Sequence, residues 1–167
     1  MPNWCDNSAR IEGPVDLMYD LAKAIERDEM LSFMAPLPTD EWEYGTAIDM
    51  WGTKWDTGSS DGYIDHNVED GVIEVSFQSA WGPPIQAYDT FLEKNPEVTI
   101  TAYYYESGND FGGIYEDGED SARQDLPMSS SDAWDKDPVL QELDYQYNIR
   151  EQKAEWEEES DEQEDEN

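Results

Sequence analysis

The chain has 167 residues and carries 42 Asp and Glu against 9 Lys and Arg, for a formal net charge of −33. A surface this acidic repels nucleic acid and anionic membranes and attracts the proteins that bind them. At the charge density of duplex DNA, −33 corresponds to about 56 Å of duplex, or about 16 base pairs.

In chain order, residues 7–12 lead to Gly13-Pro14. Leu17, Met18, Leu21, Ala22 and Ile25 then recur at three- and four-residue spacing, which predicts an amphipathic helix with Pro14 in its first turn. A loop rich in Pro and acid follows, holding Pro36, Pro38, Asp40, Glu41 and Glu43. Residues 48–55, which include W-G-T-K-W, read as a strand, and D-T-G-S-S-D-G at 56–62 reads as a turn. In 72–80, Ile73, Val75 and Phe77 alternate with Glu74, Ser76 and Gln78, the period of a strand. Trp81-Gly82-Pro83-Pro84 stops it and starts a helix whose buried face is Ile85, Tyr88, Phe91 and Leu92.

A further strand is predicted over 98–106, with Val98, Ile100, Ala102 and Tyr104 on one face and Thr99, Thr101, Tyr103 and Tyr105 on the other. Gly112 to Tyr115 suits a short edge strand. The order β-α-β-β-α-β predicts an α+β domain over residues 1–120. It is the ferredoxin-like, split βαβ arrangement, an antiparallel sheet with two helices on one face.

Residues 121–136 read as a Ser- and Asp-rich linker. Asp137-Pro138 is a helix start, with Asp as cap and Pro at the first position, and it opens an acidic helical arm over 137–159. Leu140, Leu143 and Tyr147 form a narrow apolar stripe on that arm, with Ile149 and Trp156 beside it. A helix over 138–159 would span about 33 Å. The tail, 160–167, ends a run of nine acids in thirteen residues and is expected to be disordered. The acidity is not confined to this arm, because residues 1–120 alone carry −21 and 121–167 carry −12.

Catalysis requires a nucleophile, a base and an electrophilic stabiliser within reach of one another. His66 is the sole histidine and Cys5 the sole cysteine, and no Gly-rich phosphate loop follows a strand. The expectation is a protein that is not an enzyme, with His66 in an exposed loop and Cys5 a buried structural thiol. One cysteine allows no internal disulfide, and no apolar run reaches the length of a membrane span. The expected location is therefore cytoplasmic. The acidic loops at 56–65 and 109–120 lack calcium-loop spacing, so neither a metal nor a cofactor is expected. Trp4, Trp51, Trp55 and Trp81 adjoin strands and are expected in the core. Tyr103 and Tyr105, if helices cover only the opposite face, would form an exposed aromatic strip.

The opening M-P-N-W-C-D-N, the internal W-G-T-K-W at 51–55 and A-W-G-P-P at 80–84 stand in order and well apart. With these motifs, residues 1–119 resemble the Api-like proteins of phages, plasmids and genomic islands. The resemblance implies a mobile-element origin and a ferredoxin-like fold, and it supplies no catalytic residues. Residues 121–167 depart from the pattern.

Together these features predict a phage-type acidic decoy, a DNA mimic that binds and inhibits a basic nucleic-acid-binding or defence protein of the host. The carboxylates expected to meet that partner are Glu116, Asp117, Glu119 and Asp120 in the domain and Glu151, Glu155, Glu157, Glu158, Glu159, Asp161 and Glu162 in the arm. The apolar stripe Leu140, Leu143 and Tyr147 completes the expected partner surface. No direct nucleic-acid binding and no membrane contact are expected, and a free edge strand would allow a homodimer. Two alternatives are an interaction module that uses the stripe while the acids only solubilise it, and a surface adapted to high salt.

Overall fold

The computed structural model describes residues 3–165. Six antiparallel strands form its sheet: β1 (Trp4–Glu12), β2 (Tyr63–Asn67), β3 (Val72–Ala80), β4 (Thr99–Glu106), β5 (Phe111–Glu116) and β6 (Glu119–Arg123), in the order β2-β3-β1-β4-β5-β6. β1 lies between β3 and β4, so the centre of the sheet waits on chain that is 60 to 100 residues away. β1 and β2 run parallel on either side of β3, because each pairs with it antiparallel.

Side-chain parity gives the sheet two faces. The inner face carries Cys5, Asn7, Ala9 and Ile11 of β1, Ile73, Val75 and Phe77 of β3, and Ile100 and Ala102 of β4, all buried. Four helices cover it: α1 (Val15–Glu26), α2 (Met30–Met34), α3 (Tyr44–Trp51) and α4 (Ile85–Lys94). Met18, Leu21, Ile25, Leu31, Trp51 and Phe91 are each 2 % exposed or less, and such burial stabilises by about 1.5–3 kcal/mol per large apolar side chain.

The strand expected at 48–55 is instead helix α3 followed by a turn. Ala47 and Trp51, four residues apart, reach the core from one side of α3, and the Trp51 indole donates to the Ala35 carbonyl at 2.8 Å. Gly52 ends the helix at φ +88°, a left-handed geometry that favours glycine, and a Cβ there would stand 2.1 Å from Gln86 Oε1. The second strand falls later, at β2. All its residues but Ile64 are exposed, so it shows no apolar alternation to read. His66 lies on this strand and not in a loop; it is exposed, with Nε2 3.7 Å from Glu26.

The outer face differs more from expectation. Residues 121–136 are not a plain linker: β6 runs through the boundary expected at 120, and Leu126 and Trp134 are buried. β5 is therefore an interior strand, not an edge. After α5 (Ala133–Lys136), the arm divides into α6 (Pro138–Tyr147) and α7 (Ile149–Asp165), separated by Asn148 at φ +54°. α6 folds back onto the outer face, so helices cover both faces of the sheet. Tyr105, Leu126, Trp134, Leu140, Leu143 and Ile149 form a second apolar cluster there. α7 continues through Asp165, where a disordered tail was expected from 160, and the last two tail residues lie outside the described residues. Among the described residues no helix is long and apolar enough to cross a membrane.

Candidate functional site

The C-terminal segment is docked by charge as well as by its apolar cluster. Asp137 caps α6, accepting from the Val139 amide at 3.0 Å, and also binds the Arg123 guanidinium of β6 at 2.7 Å. That arginine holds the Asp137 carboxyl below its ordinary range. At the far end of α6 the Tyr147 hydroxyl donates to the Tyr103 carbonyl at 2.9 Å, and burial raises its phenol pKa. Arg150 donates to Ser129 O at 2.7 Å and meets Asp135 at 3.0 Å, and Lys153 reaches Asp110 at 2.9 Å. Glu157 accepts from the Ser129 amide and hydroxyl, which lowers its pKa.

This docking corrects the expected apolar partner surface. Leu140 is 4 % exposed and Leu143 fully buried, and Tyr147 is half-buried against Tyr105 at a ring-centroid distance of 5.8 Å. The stripe is spent on the chain's own sheet. The expected tyrosine strip is likewise absent as a free surface: Tyr105 is 3 % exposed, and burial pushes its phenol up to about 12.

The expected carboxylates form two separate groups. Glu116, Asp117, Glu119 and Asp120 surround the β5–β6 turn, and all four are exposed. Two of them also serve the fold, Asp117 accepting from the Ile100 amide and Asp120 from the Tyr104 hydroxyl, both at 2.7 Å. The α7 group, Glu151, Glu155, Glu158, Glu159, Asp161 and Glu162, is exposed, with Glu157 partly covered by Ser129. Asp110, where Lys153 ties α7 down, and Asp117 at the turn bracket β5 at opposite ends, about 23 Å apart at 3.3 Å per strand residue.

A third surface was missed. Trp4, Trp55 and Trp81, expected in the core, are 41 %, 39 % and 47 % exposed, and only Trp51 of the four is buried. The Trp4 and Trp55 rings lie 5.9 Å apart, and Lys54 Nζ stands 4.5 Å from the Trp55 ring centroid and 5.9 Å from that of Tyr44. The Trp42 indole donates to the Lys54 carbonyl at 2.8 Å. Trp81 follows Ala80, the register partner of Trp4, and its amide donates to the Asn3 carbonyl at 2.8 Å. One signal for Trp4 was present: it has the strand parity of Asp6 and Arg10, not that of Ala9 and Ile11.

Cys5 is fully buried, and burial raises its thiol pKa, which leaves it a poor nucleophile. Among the described residues no group of three His, Cys, Asp or Glu side chains could hold a metal ion. A polar cleft of about 440 Å³ lies between the outer face and α6, lined by Asp6, Ser8, Ser76, Gln78, Gln146 and Tyr147. No family model, no curated protein and no solved structure matches the chain.

Proposed function

We propose that this protein is an acidic decoy, which occupies the nucleic-acid groove of a basic partner in place of DNA. The observation that carries the reading is the charge along α7. Eight of the eleven residues at 155–165 are Asp or Glu. At about 1.5 Å rise per residue this is about one charge per 2 Å of axis, against about 1.7 Å for duplex DNA. Like charges at four-residue spacing cost an isolated helix a few tenths of a kcal/mol each, so the acids of α7 work against its stability.

Internal use of the cations sharpens the field. Arg10, Arg27, Arg123, Lys136, Arg150 and Lys153 sit in ion pairs, and Lys23 and Lys54 lie over aromatic rings. Little positive charge is left to oppose approach of a basic surface, and attraction of this kind speeds association.

On this reading the first four strands are a ferredoxin-like split βαβ, which the order β2-β3-β1-β4 supports, with β5 and β6 added at one edge. The resemblance of the three motifs to those of the Api-like proteins supports a mobile-element origin, and on this reading the target is a host nucleic-acid-binding or defence protein. The protein acts without catalysis.

The test is capture from host lysate at low salt, followed by challenge with duplex DNA, for the native chain and for a variant with Glu155, Glu158, Glu159 and Glu162 changed to Gln. Retention of nucleic-acid-binding proteins that DNA releases, and that the variant fails to hold, is the expected result. Retention indifferent to both DNA and the variant would overturn the reading.

A further inference from the structure

Two of the three motifs bring their indoles together, Trp4 and Trp55 at 5.9 Å, and the third sets Trp81 beside them along the backbone, next to the register partner of Trp4 and bonded to the Asn3 carbonyl. Trp4 comes from the first, Trp55 from W-G-T-K-W after the turn at Gly52, and Trp81 from A-W-G-P-P. With Trp42 and Tyr44 they make five aromatic side chains between 39 % and 57 % exposed. Trp4, Trp42, Tyr44 and Trp55 are linked through ring and Lys54 contacts, and exposed aromatic side chains gathered in this way mark interaction sites.

Two further observations say what the corner accepts. The ammonium of Lys54 stands over the Trp55 and Tyr44 rings, so these rings take a cation, and an incoming guanidinium must displace Lys54 to stack on Trp55. Trp42 also sits in an acidic run: Asp40, Glu41 and Glu43 are exposed and enter no ion pair among the described residues. A second copy of the chain is a poor occupant, because each copy carries −33.

Trp81 adds evidence that the corner is maintained against a cost. It sits at φ +70°, and among the described residues the other non-glycine residues at positive φ are Asp28, Asp110, Asp117, Asp125 and Asn148, types that tolerate that region. A bulky aromatic does not, and such strain gathers where a side chain is held in place for function.

We propose that this corner docks arginine side chains of an extended basic segment, each guanidinium stacked on an exposed indole face, with Asp40, Glu41 and Glu43 neutralising the charge. Arginine fits better than lysine because its planar, weakly hydrated head stacks on rings. The inference rests on the decoy reading only for the partner being basic. The field of α7 steers such a partner and is screened by salt, whereas stacking at the corner persists when salt rises.

The test uses the full chain and a short Arg-Gly repeat peptide, followed by the indole N–H resonances of the 15N-labelled protein in about 0.5 M salt, where screening acts within a few ångströms. The resonances of Trp4, Trp55 and Trp81 are expected to move and that of Trp156 on α7 to stay. Lys-Gly and Gln-Gly repeats should bind progressively more weakly. Trp81→Gly, which relieves the positive-φ strain and so keeps the fold, should weaken binding by about 3- to 10-fold. Equal shifts at Trp156, or a Trp81→Gly protein that is folded and binds as the native chain does, would overturn the proposal. The Glu→Gln variant of α7 separates the two readings: it removes DNA-competed capture if the decoy reading holds, and leaves the high-salt indole shifts unchanged if the corner does.

Discussion

On the inner face of the sheet, α1 to α4 bury Met18, Leu21, Ile25, Trp51 and Phe91 in one continuous apolar core. On the outer face only the half formed by β4, β5 and β6 is covered, by a small cluster around Leu143 that charged groups reinforce. The difference follows from composition. Residues 121–167 carry 16 acids and few large apolar side chains, and of their four cations Arg123, Arg150 and Lys153 all serve the docking. The inner core is held mainly by burial, with a few bonds such as Trp51 to Ala35, whereas the acidic segment is held by a few apolar residues and several ion pairs. Local opening is therefore expected to begin on the outer face.

The largest effect belongs to the inner core. Trp51→Ala removes a buried indole and its bond to Ala35 and should cost about 3–5 kcal/mol, read as a lower urea midpoint by circular dichroism. A loss under about 1 kcal/mol would mean that the corner of α3 is not part of the cooperative core. Leu143→Ala comes next, at about 2–4 kcal/mol, because the residue is fully buried where Gly112 approaches the end of its side chain. Its signature is regional: hydrogen-exchange protection falls in α6 and α7 while β1 and β3 keep theirs. Equal loss in both regions would make the two clusters one cooperative unit. Asp137→Ala follows, at about 1–2 kcal/mol, for the lost α6 cap and the stranded Arg123. Asp137→Asn should recover part of this, because Asn also caps.

The sequence was legible where burial imposes a period. β3 and β4, α1 and α4 lie where the alternation of Ile73, Val75 and Phe77 and the spacing of Met18, Leu21 and Ile25 put them. It was illegible where long-range pairing decides. β2 is exposed at four of its five residues and is a strand only because β3 offers an edge, and α3 was misread because the aromatics of W-G-T-K-W suit a strand as well as a helix end. The site shows the same division. The acidic run of α7 is written in the sequence, but the apolar stripe gave no sign that its partner is the chain's own Tyr105. The nearness of Trp4 to Trp81 depends on Trp4 pairing with Ala80 across the sheet, and the segment carrying Trp55 is tied to the same place by Thr53 donating to the Ala80 carbonyl, contacts no local pattern contains.

The smallest predicted effect is acid sensitivity, and its sign differs between the two regions. Asp137, bound by Arg123, and Glu157, bound by Ser129, have lowered pKa values in the folded chain. Each therefore stabilises the docked segment above the ordinary carboxylate pKa of about 4, and the contribution is lost as pH falls through the folded value. Asp56, beneath α2, has the opposite sign: burial outweighs its bonds from Leu31, Ser32 and Thr57 and holds its pKa above the ordinary range. The folded chain binds that proton more tightly, so acidification favours its side of the molecule. Asp28, also on that side and bonded to Ser60, is lowered and offsets part of this gain. Between about pH 4 and pH 3, hydrogen-exchange protection should fade in α6 before β1 and β3, by less than Asp137→Ala produces at neutral pH, while in α7 relief of repulsion among its own acids works in the opposite direction. The Asp137→Asn protein, which cannot titrate at that position, should show a smaller difference between the regions. If it matches the native chain across this range, the Arg123 pairing does not control the docking.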